Sequence, residues 1–553
     1  ALSHDWQRLA DRLGETLRGR LEPGVEDDQA ALLDIDPSPD EAGTERDGDL
    51  GGSGGGIAGG GDDPKSDGGD PSSLDRDLVQ GVAWTSGVKW SVQIITWAVT
   101  IIVMRLLTPE DYGLVGMAIL FLGLVTVVSE FGLGSAVVAL RNLTERQISQ
   151  LNSVAVIVGL TALAFSAAVA HPVAAFFESP RLPPVIMVMS TTFLISALNV
   201  VPKATLLRDL RYRTLALVEG VQAVGAVFMT LFLAWIGLGY WALVLGRITE
   251  FVIAATALLI IAPRRFLLPR LGEIKDALTF SSHVLTSRVA WYTYSNADYL
   301  IIGKLLGQTA LGFYTSAFNL SRMPAAKIAG MVTRVTPGIF SAVQDRPPAL
   351  RRYVLILTEG IALVTFPPIL GLGLVAPELI PVALGDQWLG SIVPLQILSV
   401  GAALRAVTPL LPQILQVIQE TRFGMKVSIV ASFVFMAGFY VGSFWGIAGV
   451  ALVWVALDPV VVALPVLLKT RQRIGLPLRS YLKALWPAAS SCALMALAVL
   501  ATRHFARDTL TMIQLLAAEV GMGALTYGLA VWVGHRPRMD RMIRAIRLLK
   551  NQE

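Results

Sequence analysis

RLLTPEDYGLVGMA at Arg105–Ala118 and KLLGQTALGFYTSA at Lys304–Ala317 decide the fold of this chain. Laid over one another without gaps, they share a base, a Leu-Leu pair, a Gly and a terminal Ala. Arg105 falls on Lys304, Leu106 on Leu305, Leu107 on Leu306, Gly113 on Gly312 and Ala118 on Ala317. Each stretch follows a long apolar run and opens another. A second, weaker echo in the same order pairs WIGLGYWALV (Trp235–Val244) with FWGIAGVALV (Phe444–Val453) through Gly237 and Gly446. A repeat of roughly two hundred residues is far longer than a solenoid unit. It reads as a duplicated half-molecule.

The composition places that duplication in a membrane. The 553 residues are 54% hydrophobic and 16% charged, with a mean hydropathy of +0.60. Soluble domains average about 45–50% apolar and about 25% charged. A single cysteine, Cys492, rules out an intrachain disulfide or a thiolate metal site. Five histidines with no i, i+3 or i, i+4 spacing give no zinc or di-iron signature. No metal, cofactor or nucleic-acid partner is expected.

Charge divides the chain. Residues 1–76 hold 7 basic and 19 acidic residues, a net −12 within an overall +4, so the remainder is strongly basic. Trp6, Leu9, Leu13, Leu17 and Leu21 give residues 1–21 the spacing of a short amphipathic helix. Residues 22–76, rich in Gly, Asp and Ser, bury too little apolar surface to fold and read as a disordered cytoplasmic tail. No basic start followed by an apolar core marks a signal peptide.

From Leu78 onward, apolar runs long enough for about 30 Å of hydrocarbon follow one another. Fourteen spans fit, the first near residues 80–104 and the last near 511–534. Expected boundaries are a first six-helix lobe at 77–276, a second at 277–480, two extra helices within 481–534 and a basic tail at 535–553. Arginine and lysine crowd the even-numbered connections, as at Lys203, Arg208, Arg211 and Arg213, while odd-numbered ones carry few. The positive-inside rule then puts both termini in the cytoplasm. Six helices separate the repeats, so the lobes should be related by a pseudo-two-fold axis along the membrane normal.

RLLTPEDYGLVGMA with FGLGSAVV, and NADYLIIGKLLGQTALGFYTSAFNLSRMP, resemble the polysaccharide transporter family of the multidrug/oligosaccharidyl-lipid/polysaccharide flippase superfamily. The resemblance is to its Wzx-type flippases and covers roughly residues 77–500. It implies a bacterial inner-membrane protein, monomeric, with two lobes forming a V that opens alternately to each side. It also implies movement of an undecaprenyl-pyrophosphate-linked repeat unit between leaflets, with membrane lipids and polysaccharide polymerase or export machinery as partners. The acidic N-terminal segment departs from the family pattern.

Buried charges are read without that resemblance. An ionisable residue at mid-membrane costs about 2.5–3.5 kcal/mol on insertion scales and faces a cavity or a partner. The cations are Lys89, then Arg288, Arg322, Lys327, Arg334 and Arg405 in the second half. Several arginines lining one cavity suit pyrophosphate and acidic sugars through bidentate contacts. The competing reading pairs some of them with Glu130, Glu219, Glu250, Asp298, Glu359 or Asp458, and Arg247 with Glu250. Trp291 and Tyr292 follow Arg288 and could stack on sugar rings or simply pack. Asp298 and Glu359 are candidates for a coupling ion. Two alternatives remain open: a cation-coupled multidrug exporter, expected to show an acidic cavity, and a membrane polymerase. No Walker loop, GxSxG or HExxH motif supports an ATPase or hydrolase.

Overall fold

The computed structural model describes residues 95–130, 133–140, 143–209, 211–270 and 295–536, with isolated positions such as Tyr292. The expectations for residues 1–21 and 22–76, for Lys89, Arg288 and Trp291, and for most of the basic tail lie outside the described residues. So do the side chains of Lys327 and Arg334.

Among the described residues every regular element is helical. The first half runs α1 (Ile95–Leu106), α2 (Pro109–Glu130), α3 (Leu133–Ala139), α4 (Glu145–Phe177), α5 (Leu182–Arg208), α6 (Tyr212–Trp235) and α7 (Tyr240–Ile261). The second begins with α8 (Ala297–Ile301), which runs on through a π turn at Ile302–Leu306 into α9 (Gln308–Ala342). Then come α10 (Pro347–Leu374), α11 (Ala376–Ala383), a 3₁₀ turn (Asp386–Ser391), α12 (Ile392–Val407), α13 (Leu410–Val417) and α14 (Thr421–Ser443). Helix α15 (Gly446–Leu457) passes through a π segment, Asp458–Ala463, into α16 (Leu464–Ile474), followed by α17 (Leu478–Ala506) and α18 (Met512–Gly534).

Eleven helical stretches among the described residues are long and apolar enough to cross a membrane. The α1, α8 and α9 segments fall where the sequence reading puts spans 1, 7 and 8, so the architecture is consistent with fourteen. Apolar side chains such as Phe228, Phe232, Trp235 and Ile260 stand exposed on the outer helix faces, where hydrocarbon rather than water is the solvent. The apolar run at 353–381, long enough for one span, divides in the structure. Pro367 and Pro368 stay inside α10, which ends at Leu374, and α11 restarts at Ala376 with Pro377, which has no N–H to join the two, in its first turn.

Local chemistry sets the repeated junctions. In TPED, Thr108 and Asp111 cap α2 reciprocally: the Thr108 backbone N–H donates to Asp111 Oδ2 at 2.9 Å, and the Asp111 N–H to Thr108 Oγ1 at 3.2 Å. The free Asp111 Oδ1 accepts the Tyr240 N–H at 3.1 Å, tying α7 to α2. Gly237 and Gly446, matched in the sequence echo, both turn in the left-handed region, at φ +83° and +69°.

The lobes meet where α2 and α9 cross. A methyl group built on Gly113 would overlap the Gln308 carbonyl oxygen, and one built on Gly312 would overlap the Pro109 carbonyl oxygen. The ungapped alignment that pairs Gly113 with Gly312 also pairs Pro109 with Gln308. Each contact is therefore the image of the other, as a pseudo-two-fold axis through the crossing requires. Ala118 and Ala317, the last pair of the alignment, are both fully buried.

Gly113→Ala and Gly312→Ala should each destabilise the protein by about 1–3 kcal/mol, the cost of overpacking a tight contact. Gly220→Ala, where an added Cβ meets nothing within 4 Å, should be neutral or stabilising by up to about 1 kcal/mol. Thermal unfolding of the purified variants distinguishes the two outcomes.

Candidate functional site

A cleft of about 280 Å³ opens in the second lobe between α9, α12, α13, α15 and the π segment. Two of the sequence-predicted cations line it, Arg322 from α9 and Arg405 from α12. Counting 1.5 Å per residue from the ends near the α2–α9 crossing, both lie roughly 20 Å along their helices, in the middle of a bilayer. Asp458, 4% exposed at the start of the π segment, shares the cleft. A π turn is a recurrent way to re-aim a side chain at a functional site.

An aromatic box seats the arginines. The Arg405 guanidinium carbon lies 4.0 Å from the Trp454 ring centroid, and that of Arg322 lies 5.1 Å from Phe318. Each such contact contributes about 0.5–2 kcal/mol, more when desolvated. Trp454 is held at 5.0 Å from Phe435 and 5.1 Å from Phe439, while Tyr299, Tyr314 and Phe318 pack with centroids 5.6–5.9 Å apart.

Asp298 lies behind that box, fully buried. Its Oδ2 accepts the Tyr314 hydroxyl at 2.8 Å and the Trp454 indole N–H at 3.1 Å, and its Oδ1 accepts the Tyr299 backbone N–H at 2.9 Å. The indole N–H also lies 3.0 Å from the Tyr314 oxygen. A buried carboxylate thus fixes the indole, and the indole seats Arg405. Asp298 does not open into the cleft.

The other sequence candidates sit apart. Tyr292 lines a separate, mostly apolar cavity of about 320 Å³ with Phe121, Phe176 and Leu300. Its hydroxyl donates to the Leu120 carbonyl of α2 at 2.9 Å, a contact between lobes, and a side chain on Gly123 would collide with it. Glu359 is half-buried on α10, away from the cleft. Arg247 and Glu250 form the ion pair that their spacing predicts, at 2.5 Å. Sequence reasoning missed Trp454, Tyr314 and Phe318, since aromatic residues in an apolar span look like packing. Asp458, named from the sequence only as a possible partner for a buried cation, is followed by Pro459 inside an apolar run, which is a legible signal.

Polar contacts between lobes collect beside the α2–α9 crossing. Lys304 Nζ bridges Glu178 Oε1 at 2.7 Å, and Gln308 Nε2 donates to the Glu110 carbonyl at 2.8 Å. The buried Trp388 donates its indole N–H to Met104 O at 2.8 Å, while the Gln387 amide caps Arg105 O and Leu107 O at 3.2 and 3.0 Å. This end of the molecule is closed.

The fold defines a multi-pass helical membrane protein of two lobes. Over 83% of the chain it superposes on the whole of "Lipid II flippase MurJ, inward closed conformation", with a TM-score of 0.66 at 14% identity. Over 70% it superposes on 98% of an inward-facing multidrug resistance MATE family transporter of the MOP superfamily, with a TM-score of 0.55 at 16% identity. These likenesses establish the fold. Residues 102–393 match the family described as Polysaccharide biosynthesis protein, and the chain belongs to it. It is also 22% identical over 416 residues, 72% of its length, to 84% of the lipopolysaccharide biosynthesis protein WzxC of Escherichia coli (strain K12).

Two outcomes test this geometry. Asp298→Ala leaves the Tyr314 hydroxyl and the Trp454 N–H without their acceptor, and should cost about 1–3 kcal/mol in thermal unfolding. Asp298→Asn, which keeps an oxygen there, should cost less. At the closed end, the hydrogen bond and charge of Lys304 hold the Glu178 carboxyl below the usual carboxylate range. A carboxyl so lowered stabilises the closed end above its ordinary titration range and loses that contribution only as pH falls through its depressed value. Spin-label distances across α2–α9 should therefore lengthen only in acid below the ordinary Glu range. Glu178→Gln should remove that step.

Proposed function

We propose that this protein is a flippase that moves a lipid-linked oligosaccharide, carried on undecaprenyl pyrophosphate, from the inner to the outer leaflet of the bacterial cytoplasmic membrane by alternating access. The observation that carries this reading is the pairing of Arg322 and Arg405 in one mid-membrane cleft. Two guanidiniums on aromatic seats present planar, bidentate donors to a pyrophosphate while its lipid tail stays in the bilayer. The wall of Phe318 and Trp454 offers faces on which sugar rings can stack. Membership of a polysaccharide biosynthesis family supports a saccharide cargo. With both termini in the cytoplasm, as the charge asymmetry implies, the closed end faces outward, and the cleft would be loaded from inside.

The same fold serves a multidrug transporter, so the fold alone does not choose the cargo. One observation favours that second reading: the carboxylate of Asp458 lies in the cleft and could bind a cation. Charge reversal decides between them. In liposomes holding a fluorescent pyrophosphate-linked oligosaccharide lipid, with membrane-impermeant quenching to report crossing, the protein should accelerate transfer between leaflets. Arg322→Glu and Arg405→Glu should each abolish that acceleration, and Arg405→Lys should keep part of it. Unchanged crossing in both reversals, with uptake of a cationic dye lost in Asp458→Asn, would establish the exporter instead.

A further inference from the structure

A second cluster of charges lies outside the cleft, where the two extra helices meet the second lobe. Arg503, near the end of α17, donates from Nη2 to Glu378 Oε2 at 2.6 Å and to Leu374 O, the last carbonyl of α10, also at 2.6 Å. Its Nε donates to Glu519 Oε1 at 2.9 Å, and Nη2 lies 3.3 Å from Glu519 Oε2. The side chains of Glu519 and Glu378 are 0% and 9% exposed. Glu519 sits two turns into α18, within the apolar layer.

The charges here do not balance. One guanidinium faces two carboxylates and the negative end of a 28-residue helix. Among the described residues, the surrounding elements bring no second cation. Helix α11 has only Glu378, α18 only Glu519, and α12 no charge before Arg405 at its far end. The charges of α10, Arg351, Arg352 and Glu359, lie in its first half, and Lys483 and Arg479 lie at the opposite end of α17. Asp386 on the 3₁₀ turn, and His504 and Arg507 beyond Arg503, are exposed. A buried carboxylate without its own counter-charge is strongly disfavoured.

The hydrogens fall short as well, which is a separate observation. Arg503 Nη2 carries two, yet three acceptor oxygens surround it. One of the two hydrogens is therefore shared between two oxygens, and a protonated carboxyl would relieve that sharing.

We propose that Glu378, Arg503 and Glu519 form a proton-binding site in which a single proton, taken from water, is shared between the two carboxylates and leaves the triad neutral. With the proton bound, α18 docks on α10 and α11. Without it, two carboxylates repel across that joint.

Neither measurement that tests this needs a substrate, so this proposal and the flippase reading stand or fall separately. In infrared spectra of the purified full chain in lipid nanodiscs, Glu378→Gln and Glu519→Gln should each remove the same protonated-carboxyl band. With either carboxylate gone, the other ionises against Arg503 as a plain pair. Spectra in which neither variant removes a band overturn the proposal. In thermal unfolding, the folded wild type binds one proton more than the unfolded chain above the ordinary Glu range. Its folding constant should fall by about tenfold per pH unit relative to either variant. Parallel slopes for wild type and variants also overturn it. Should one variant fail to fold, the other gives the same reading, because the proton is shared.

Discussion

The approach of two helix backbones at Gly113 and Gly312 is the constraint from which the rest of the structure follows. Each glycine admits a carbonyl oxygen of the other helix, and any side chain at either position would push the lobes apart. Hydrocarbon supplies no hydrophobic force between helices, so close packing of small residues and polar contacts must hold membrane helices together. Both occur here. Around the glycine crossing, Lys304 bridges Glu178, and the Gln387 and Trp388 donors take up backbone carbonyls at the end of α1. That neighbourhood must separate if the closed end is to open, and it is made of contacts that can each be exchanged for water.

Duplication gives the backbone its symmetry, but the charges do not follow it. The paired glycines at 113 and 312 and at 237 and 446 occupy equivalent turns and crossings in the two halves. The first lobe has no described counterpart of the Arg322–Arg405 cleft. Arg322 replaces nothing in the crossing and lies four residues beyond Phe318 on α9, one turn along the same face, so that the guanidinium returns over the ring. A symmetric scaffold thus carries an asymmetric binding surface, as a molecule must if one lobe holds an anionic head group while the other only closes over it.

The sequence revealed most about what repeats and what is costly to bury. The Gly113/Gly312 alignment pointed to the duplication, and the structure brings the paired glycines to one crossing. Arg322 and Arg405 were legible because a base in an apolar span must find a cavity or a partner. The seat on which they rest was not. Trp454 and Tyr314 belong to runs where an aromatic residue is ordinary, and only folding brings α8, α9 and α15 together around Asp298. Asp298 was read as a candidate ion site or a partner for a buried cation, and its three described hydrogen bonds come from Tyr314, Trp454 and the Tyr299 backbone. Tyr292 was read beside Arg288 as a residue that stacks on sugar or packs, and its hydroxyl is bonded to the α2 backbone.

The depth of Asp298 gives the cleft its character. Asp458 shares the cleft, but Asp298 is kept out of it, its carboxyl bonded by the Tyr314 and Trp454 donors behind an aromatic wall. Arg405 meets the face of that wall, 4.0 Å from the Trp454 ring centroid, as a cation on an aromatic face. Among the described residues no ion pair ties the Arg405 guanidinium to Asp458. An arginine held by its face rather than its donors keeps those donors for a ligand, which is the property an anion-carrying cleft in the middle of a membrane requires.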